Sequence, residues 1–592
     1  MPHAISMPAT GLQALILCGP GSSFPTFTSN PDENPKALLP IANRPMVWYP
    51  IDFCYRTGIT QITLICPPSA ADAITTALNT NPFLTGLPHP RPDLVAPRDL
   101  DQNTGTAEIL RLPEVREVVT SDFVVLPCDL VCELGGDKLL QAWMVKAASL
   151  PDLLGDGEPP YDSGGLGVWY ETKASNPVKG EETDFIATAP IPASPTPTSK
   201  DSILPHLSYL TYSLPKDSLN DITDEKNGFP IRHSLLRSHP RLRMLTTHRD
   251  AHIYILPQWI LKFIQQNERL ETIGEDVIGS WAKAYWQTGL SEKLGMSKVL
   301  EGRIESSEDD GSAHGDDALA NSGLISPPMK LHESPPPADS RRRQSDGLIA
   351  RPKKSTVPPI LAYVHPSSPD APVLRRVDTA QLLLAISLQL AKLPPIEETG
   401  VDAASPFAHS RKVAYPEGVK PRTTITRQDC LIADNVMVEE KTSIKETVVG
   451  ANCQIKEGAK LFQCLLMDGV VVGKGCKLTR CILGKRSEIG EGSTLTDCEV
   501  QENLLVEPKS KCPISVIPIP TQPIPTQTAK SDPKVPVSEV LTTGACDLSA
   551  AEDKDSKLMS SSGMEASEQE MQDALLDEEL VEGGAGGSAV LE

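Results

Sequence analysis

Between residues 432 and 506 the chain repeats itself every 17 residues, a period that no simple helical pattern generates. Val438, Ile455, Val472, Ile489 and Val506 form one column. Ile444, Leu461, Leu478 and Leu495 form a second, and Ile432, Val449, Leu466, Leu483 and Val500 a third. Successive aliphatics are therefore 6, 6 and 5 residues apart, too far for one face of an amphipathic helix and too uneven for a heptad. Gly458, Gly475 and Gly492 recur with the same period, as do Cys464, Cys481 and Cys498. Such a triplet of near-hexads predicts a triangular coil in which each short strand points one aliphatic inward and each corner turns on small or polar residues. Self-similarity at a fixed period is the mark of a β-helix.

The rest of the chain is partitioned by composition. Its 592 residues leave room for two or three domains. The net charge is -22, and residues 513–592 alone hold 4 Lys/Arg against 15 Asp/Glu, half of the total. An acidic segment of that kind repels polyanions and argues against direct nucleic-acid binding. Aromatics are 4% and prolines number 55, so much of the chain is expected to be linker. The 13 cysteines include no CxxC pair, and Cys128/Cys132 has no histidine nearby in sequence. They read as reduced thiols, those of the coil being small packed residues. No apolar run approaches the roughly 20 residues of a membrane span, and residues 15–18 are too short and lack the basic flank of a signal peptide. A cytosolic location is the expectation.

Residues 11–300 read as an α/β domain with a mainly parallel core. Segments 12–18, 61–66, 123–126 and 252–255 are the expected strands, and 45–57, 259–266 and 277–288 the expected helices. Residues 301–357, rich in Ser, Pro, Asp and Gly, read as a disordered insertion. Within it, the segment 342–345 (RRQS) suits a basic-directed kinase, though a charged linker is the simpler reading. Residues 358–395 read as a connector strand and helix, with Asp378 or Thr379 as the helix cap. The β-helix is placed at 425–510 and a disordered acidic tail at 513–592, in which 571–581 could form a transient helix. Trp281 and Trp286, five apart in a helical stretch, read as core or interface anchors, and His252 as a packed strand residue.

After the first strand come Gly19, Pro20, Gly21, Ser22 and Ser23, then a PKALLP segment at 35–40, Arg44-Pro45-Met46, and NTGTA at 103–107. A Gly-rich turn lets backbone N–H groups approach a phosphate, and a following lysine can neutralise it. Together these segments resemble the sugar nucleotidyltransferases, a family that often carries a left-handed β-helix after its catalytic domain. The resemblance implies a nucleotidyltransferase-like (Rossmann-like) mixed sheet followed by hexapeptide coils. It also implies a vestigial nucleotide pocket formed by Gly19, Gly21, Lys36 and Asp129, where Asp129 matches the family's strand-end metal carboxylate. The departures point away from catalysis. Ser23 stands where the family's G-x-G-x-R loop has its arginine, and a neutral hydroxyl cannot stabilise a pentavalent phosphoryl group. Pro20 removes a backbone donor, and about three extra residues precede Lys36 relative to the family's loop.

Further segments sharpen the resemblance: VWYP at 47–50, LPCDL at 126–130, DAHIY at 250–254, IGEDV at 273–277 and CLLM at 464–467. They are similar to the gamma subunits of eukaryotic translation initiation factor 2B, the guanine-nucleotide exchange factor for initiation factor 2. This likeness implies a non-catalytic scaffold with no cofactor, paired with the epsilon subunit and joined to the alpha, beta and delta subunits, with initiation factor 2 as the substrate of the assembly. The epsilon subunit carries a helical-repeat exchange domain after its β-helix; here 80 low-complexity residues follow position 512. Two alternatives remain open: a sugar-nucleotide pyrophosphorylase, and a catalytically dead regulatory subunit of one.

Overall fold

The computed structural model describes residues 10–147, 164–191, 202–300, 357–512 and 515–517, apart from positions 102, 174–176, 179, 369–370 and 402. The expectations for segments 301–356 and 518–592, including the kinase motif and the transient helix, lie outside the described residues.

A nine-stranded mixed sheet forms the amino-terminal body. Its parallel half is built from Asp93–Val95, Gln61–Ile65, Gln13–Leu17 and Phe123–Pro127, in that spatial order. The central strands are apolar on both sides because both faces are covered. The long strand Arg243–Leu256 then runs antiparallel to Phe123–Pro127 and continues the sheet through Leu166–Glu171, Leu361–Val364, Leu207–Pro215 and Asp184–Pro190. Leu361–Val364 thus lies inside the sheet, parallel to Leu166–Glu171, and is not a connector as the sequence suggested. Its backbone groups need ladder partners on both edges, which an isolated connecting strand would lack. Val357, assigned to the insertion, is buried in the same body.

The helix at 259–266 has its expected bounds, whereas two others differ at their starts. The first spans Trp48–Thr57 because Arg44–Pro45 pairs with Pro40–Ile41 as a small hairpin. The stretch expected to be helical from 277 begins as a π-helical turn, Ile273–Ile278, and continues as Gly279–Trp286. Trp281 and Trp286 are both buried, donating their indole N–H groups to the carbonyls of Pro358 and Thr211. Thr379 caps the helix Ala380–Ala391 by accepting from the Leu382 N–H, while Asp378 is turned toward Arg249.

Carboxy-terminal to that helix lies a three-sided parallel β-helix. All three sheets keep a register of 17: Ile444 lies beside Leu461, Leu478 and Leu495 in one, Val449 beside Leu466, Leu483 and Val500 in the next, and Val438 beside Ile455, Val472, Ile489 and Val506 in the third. Every one of these side chains is buried. Cys464, Cys481 and Cys498 are buried at one inward corner and form no disulfide. Gly458, Gly475 and Gly492 occupy a left-handed turn with φ of +74°, +67° and +72°, which explains their period; Lys441 and Lys509 adopt the same conformation one coil outside them.

The two halves share a core. Leu431, Val448, Leu465 and Ile482 point outward from one face of the coil and join Leu382, Leu383, Ile386 and Leu390 of the intervening helix, whose other side meets the α/β body. A helix apolar nearly all round is what such double burial requires. The hairpin at 40–45 fastens the joint. Asn43 donates to the carbonyl of Val449 at 3.0 Å, and the Ala42 N–H donates to Ser387 Oγ at 3.2 Å. Arg44 stacks on Trp48 with its guanidinium 4.3 Å from the ring centroid and donates to the carbonyls of Phe407 and Ala408.

Candidate functional site

The carboxyl ends of the parallel strands open on a cavity of about 200 Å³ whose lining includes Cys18, Gly19, Lys36, Thr104, Asp129, His252 and Arg376. Ligand sites of open α/β sheets lie at this end. Three of the four residues expected there (Gly19, Lys36 and Asp129) reach it. Gly21 does not line the cavity. It turns at φ +90° against Thr28, whose hydroxyl donates to the Gly21 carbonyl at 2.9 Å.

Asp129 is 1% exposed and has no free carboxylate oxygen. Lys36 Nζ donates to Oδ2 at 2.8 Å; Arg376 donates through Nε to Oδ1 and through Nη2 to Oδ2, both at 3.2 Å. Burial alone would raise the carboxyl's pKa, but the Arg376 and Lys36 charges outweigh it and hold the group well below the usual carboxylate range. Burial likewise works against both cations, and Asp129 reverses its effect, raising each. A divalent ion at Asp129 would have to displace the Lys36 ammonium and the Arg376 guanidinium from a carboxylate already engaged at both oxygens, so the residues present do not suit the Mg²⁺ that the nucleotidyltransferase resemblance implies. Among the described residues no other grouping of histidine, cysteine and carboxylate side chains could hold a metal.

Arg376 is the principal residue that sequence reasoning missed. It lies in the short strand Leu374–Arg376, paired antiparallel to Leu130–Cys132, so it arrives beside Asp129 from 247 positions away. The same arginine donates through Nη1 to His252 Nε2 at 3.3 Å. His252 sits at φ +53° in an otherwise extended strand, and burial together with Arg376 pushes its pKa well below the ordinary value, leaving it neutral. Behind it, Asp250 accepts from the Tyr254 hydroxyl and the His252 N–H. Burial and the neighbouring Asp184 carboxylate raise Asp250 to about 7. Two arginines continue the network. Arg249 pairs with Asp378, and Arg375 approaches Glu181 at 3.2 Å.

Beyond Gly19 and Pro20, which line the cavity, the Gly-rich loop is drawn away from it. Ser23 is exposed. Phe24 and Phe27 are buried, and the rest of the loop is bonded to the last coils of the β-helix. Glu502, 1% exposed, accepts from Ser29 Oγ at 3.2 Å and from Asn34 Nδ2 at 3.1 Å. Thr26 donates to Glu499 at 3.3 Å, and Arg486 pairs with Glu33 at 2.7 Å. The NTGTA segment is fastened too: a Cβ on Gly105 would lie 2.2 Å from the Glu271 carbonyl, and the Thr106 hydroxyl accepts from the Ile273 N–H at 2.9 Å.

Residues 415–512 match the family described as the EIF2B subunit epsilon LbH domain, which makes the coil a left-handed β-helix. Over 289 residues the chain is 28% identical to the translation initiation factor eIF2B subunit gamma of Schizosaccharomyces pombe, a match covering 49% of this chain and 55% of that protein. Over 270 residues it is 20% identical to the eIF2B subunit gamma of Caenorhabditis elegans, covering 45% of this chain and 57% of that protein. The chain therefore spans little more than half the length of the curated relatives it matches. In its mixed α/β body, its left-handed β-helix and these relatives, the chain is similar to the gamma subunits of eIF2B.

Proposed function

We propose that this chain is a non-catalytic scaffold subunit of the exchange factor that returns GDP-bound initiation factor 2 to its GTP form. The observation that carries the reading is the closed ion triad of Lys36, Asp129 and Arg376. Groups placed where a nucleotidyltransferase would bind metal and phosphate here neutralise one another, and the loop that would clamp phosphates is bonded to the β-helix. Nucleotide exchange needs no covalent chemistry; it needs preferential binding of the nucleotide-free state, and spreading contacts over several subunits raises effective concentration. In this role the chain pairs with the epsilon subunit, which performs the exchange, and joins the alpha, beta and delta subunits in the cytosol with initiation factor 2 as their substrate.

A tagged full-length chain purified from its own organism, with co-purifying chains identified by mass, tests the reading. Recovery of the other four subunits together with initiation factor 2 is expected. Recovery of the chain alone, or with a sugar-nucleotide enzyme, would overturn it. The cavity favours one second reading, a regulatory subunit that binds a sugar nucleotide without turning it over, since Gly19 and Thr104 still line open space. Calorimetric titration with sugar nucleotides, together with an assay for pyrophosphate release, separates binding without turnover from catalysis.

A further inference from the structure

The outer sheet of the β-helix carries an uncompensated ladder of positive charge. Its strands are Thr424–Ile425, Ser443–Lys445, Lys460–Phe462, Lys477–Thr479, Thr494–Thr496 and Lys511–Cys512, and they contain Lys445, Lys460, Lys477 and Lys511 but no Asp or Glu. All four lysines are exposed, and no ion pair is formed by them among the described residues. Lys460 lies directly opposite Lys477 in the parallel register, about 4.8 Å away along the coil axis. Like charges in facing positions destabilise a sheet, and this spacing lies well inside the screening length of physiological salt.

At several corners the same coil sets opposite or neutral partners beside its charges instead. At the corners Lys441 is paired with Glu457 and Arg480 with Asp497, each one coil apart, and Gln463 bonds Glu446. The outer face also presents Phe462 at 39% exposure, beside the exposed Lys460 and opposite Thr479. From these observations we infer that this face of the β-helix docks an acidic segment of another protein chain, one that brings carboxylates to Lys460 and Lys477 and an apolar side chain to Phe462.

The chemistry favours protein over nucleic acid. A chain of net charge -22 repels a dense polyanion at long range. Phe462 is the one aromatic residue on these strands, whereas single-stranded nucleic acid is held by bases stacked in succession on aromatic side chains. A segment of alternating carboxylates and aliphatics satisfies both the ladder and Phe462, and the threonines of the face supply hydroxyls to its rim.

The inference draws on the exchange-factor reading only for the source of the complex. The full-length chain, alone and within the complex purified from its own organism, is labelled with an amine-acetylating reagent and read by mass spectrometry. Carbodiimide crosslinking runs in parallel. Expected are several-fold slower acetylation of Lys460 and Lys477 in the complex, and crosslinks from them to Asp or Glu of another chain. The K460Q/K477Q variant should melt at or slightly above the wild-type temperature when isolated, yet dissociate from the complex at lower salt. Equal acetylation in both states overturns the inference, as does protection abolished by nuclease or crosslinks confined to copies of this chain. Protected lysines in a complex that lacks the other 2B subunits would leave the docking face standing and remove the exchange-factor reading instead.

Discussion

The β-helix and the cavity of the α/β body are both built from buried side chains, but they record their structure in the sequence in opposite ways. In the coil each layer repeats the environment of the layer below, so a position such as Leu466 meets its own kind above and below. The requirement is therefore written several times. In the cavity each group occurs once, and its partners come from elsewhere: Lys36 is 93 positions from Asp129, and Arg376 a further 247. The coil is redundant and tolerates variation at its corners. The cavity has one copy of each charge, and its charges depend on one another.

That contrast can be broken or sharpened by substitution. The largest effect is expected for Asp129→Ala, which leaves Lys36 and Arg376 buried without their counter-ion. A loss of about 3–5 kcal/mol is expected in urea unfolding, and a near-neutral result would show that the triad is not what holds the cavity closed. Leu466→Ala in the middle of the coil should cost about 3 kcal/mol, by lost burial and an unfilled cavity. If instead it cost under a third of that, the coil would be more compliant than its packing implies.

The acid behind the cavity supplies a pH test. Asp250 titrates near 7 in the folded chain, against an ordinary value of 3.8, so the folded state holds its proton after the unfolded state has released it. Its contribution to stability is present below about pH 4 and declines as pH rises toward 7. Asp250→Asn should remove that decline and gain on the order of 2 kcal/mol relative to wild type between the two limits, since Asp184 shares the titration. Unfolding measured at pH 4.5 and 7.5 reads the difference (two conditions chosen to bracket roughly that window). A parallel slope in both proteins would place the pH dependence elsewhere.

Smaller effects test the seam and the corners. Glu502→Ala removes the acceptor for Ser29 and Asn34. It should cost about 1–2 kcal/mol, with hydrogen exchange quickening at residues 22–35 and not at the cavity. Gly475→Ala should cost about 1 kcal/mol, because the residue is left-handed at φ +67° although no atom lies within 4 Å of the added Cβ. Gly473→Ala, whose Cβ would stand 2.6 Å from the Ile489 carbonyl, should cost more. A negligible cost at Gly475 would mean that backbone conformation does not set the glycine period, and equal costs would mean that crowding at Gly473 is no more severe than the left-handed strain at Gly475.

Much of the α/β body could be read in advance where pattern is local. The first strands, the helix Trp259–Gln266 and the cap at Thr379 follow from periodicity and from a hydroxyl at the right place. The sheet position of Leu361–Val364 could not be read this way, because a four-residue apolar run has no address until a partner strand claims its edges. Lys36 and Asp129 were legible as site residues from their motifs. What they do there was not, since the answer depends on Arg376, whose only signal was an arginine doublet ahead of a helix. The Gly-rich loop is similar. Its composition suggests an anion cradle, and only the contacts of Thr26, Ser29 and Asn34 with Glu499 and Glu502 show that the segment following it straps the body to the coil.

Residue order was enough to specify the coil: its period, its three inward columns and its glycine corners follow from one rule applied repeatedly, since stacked identical layers make identical demands. Residue order likewise dictated that a mixed α/β sheet precedes the coil and that Ser23 brings no charge to the first loop. It took the folded chain to reveal that the two halves share a core through one helix, that the segment after the first loop leans on the coil, and that both oxygens of Asp129 are held by two cations. The physical reason is that electrostatic partners act through space at a few ångströms and leave no period in the chain, whereas layered packing writes itself into the order of residues.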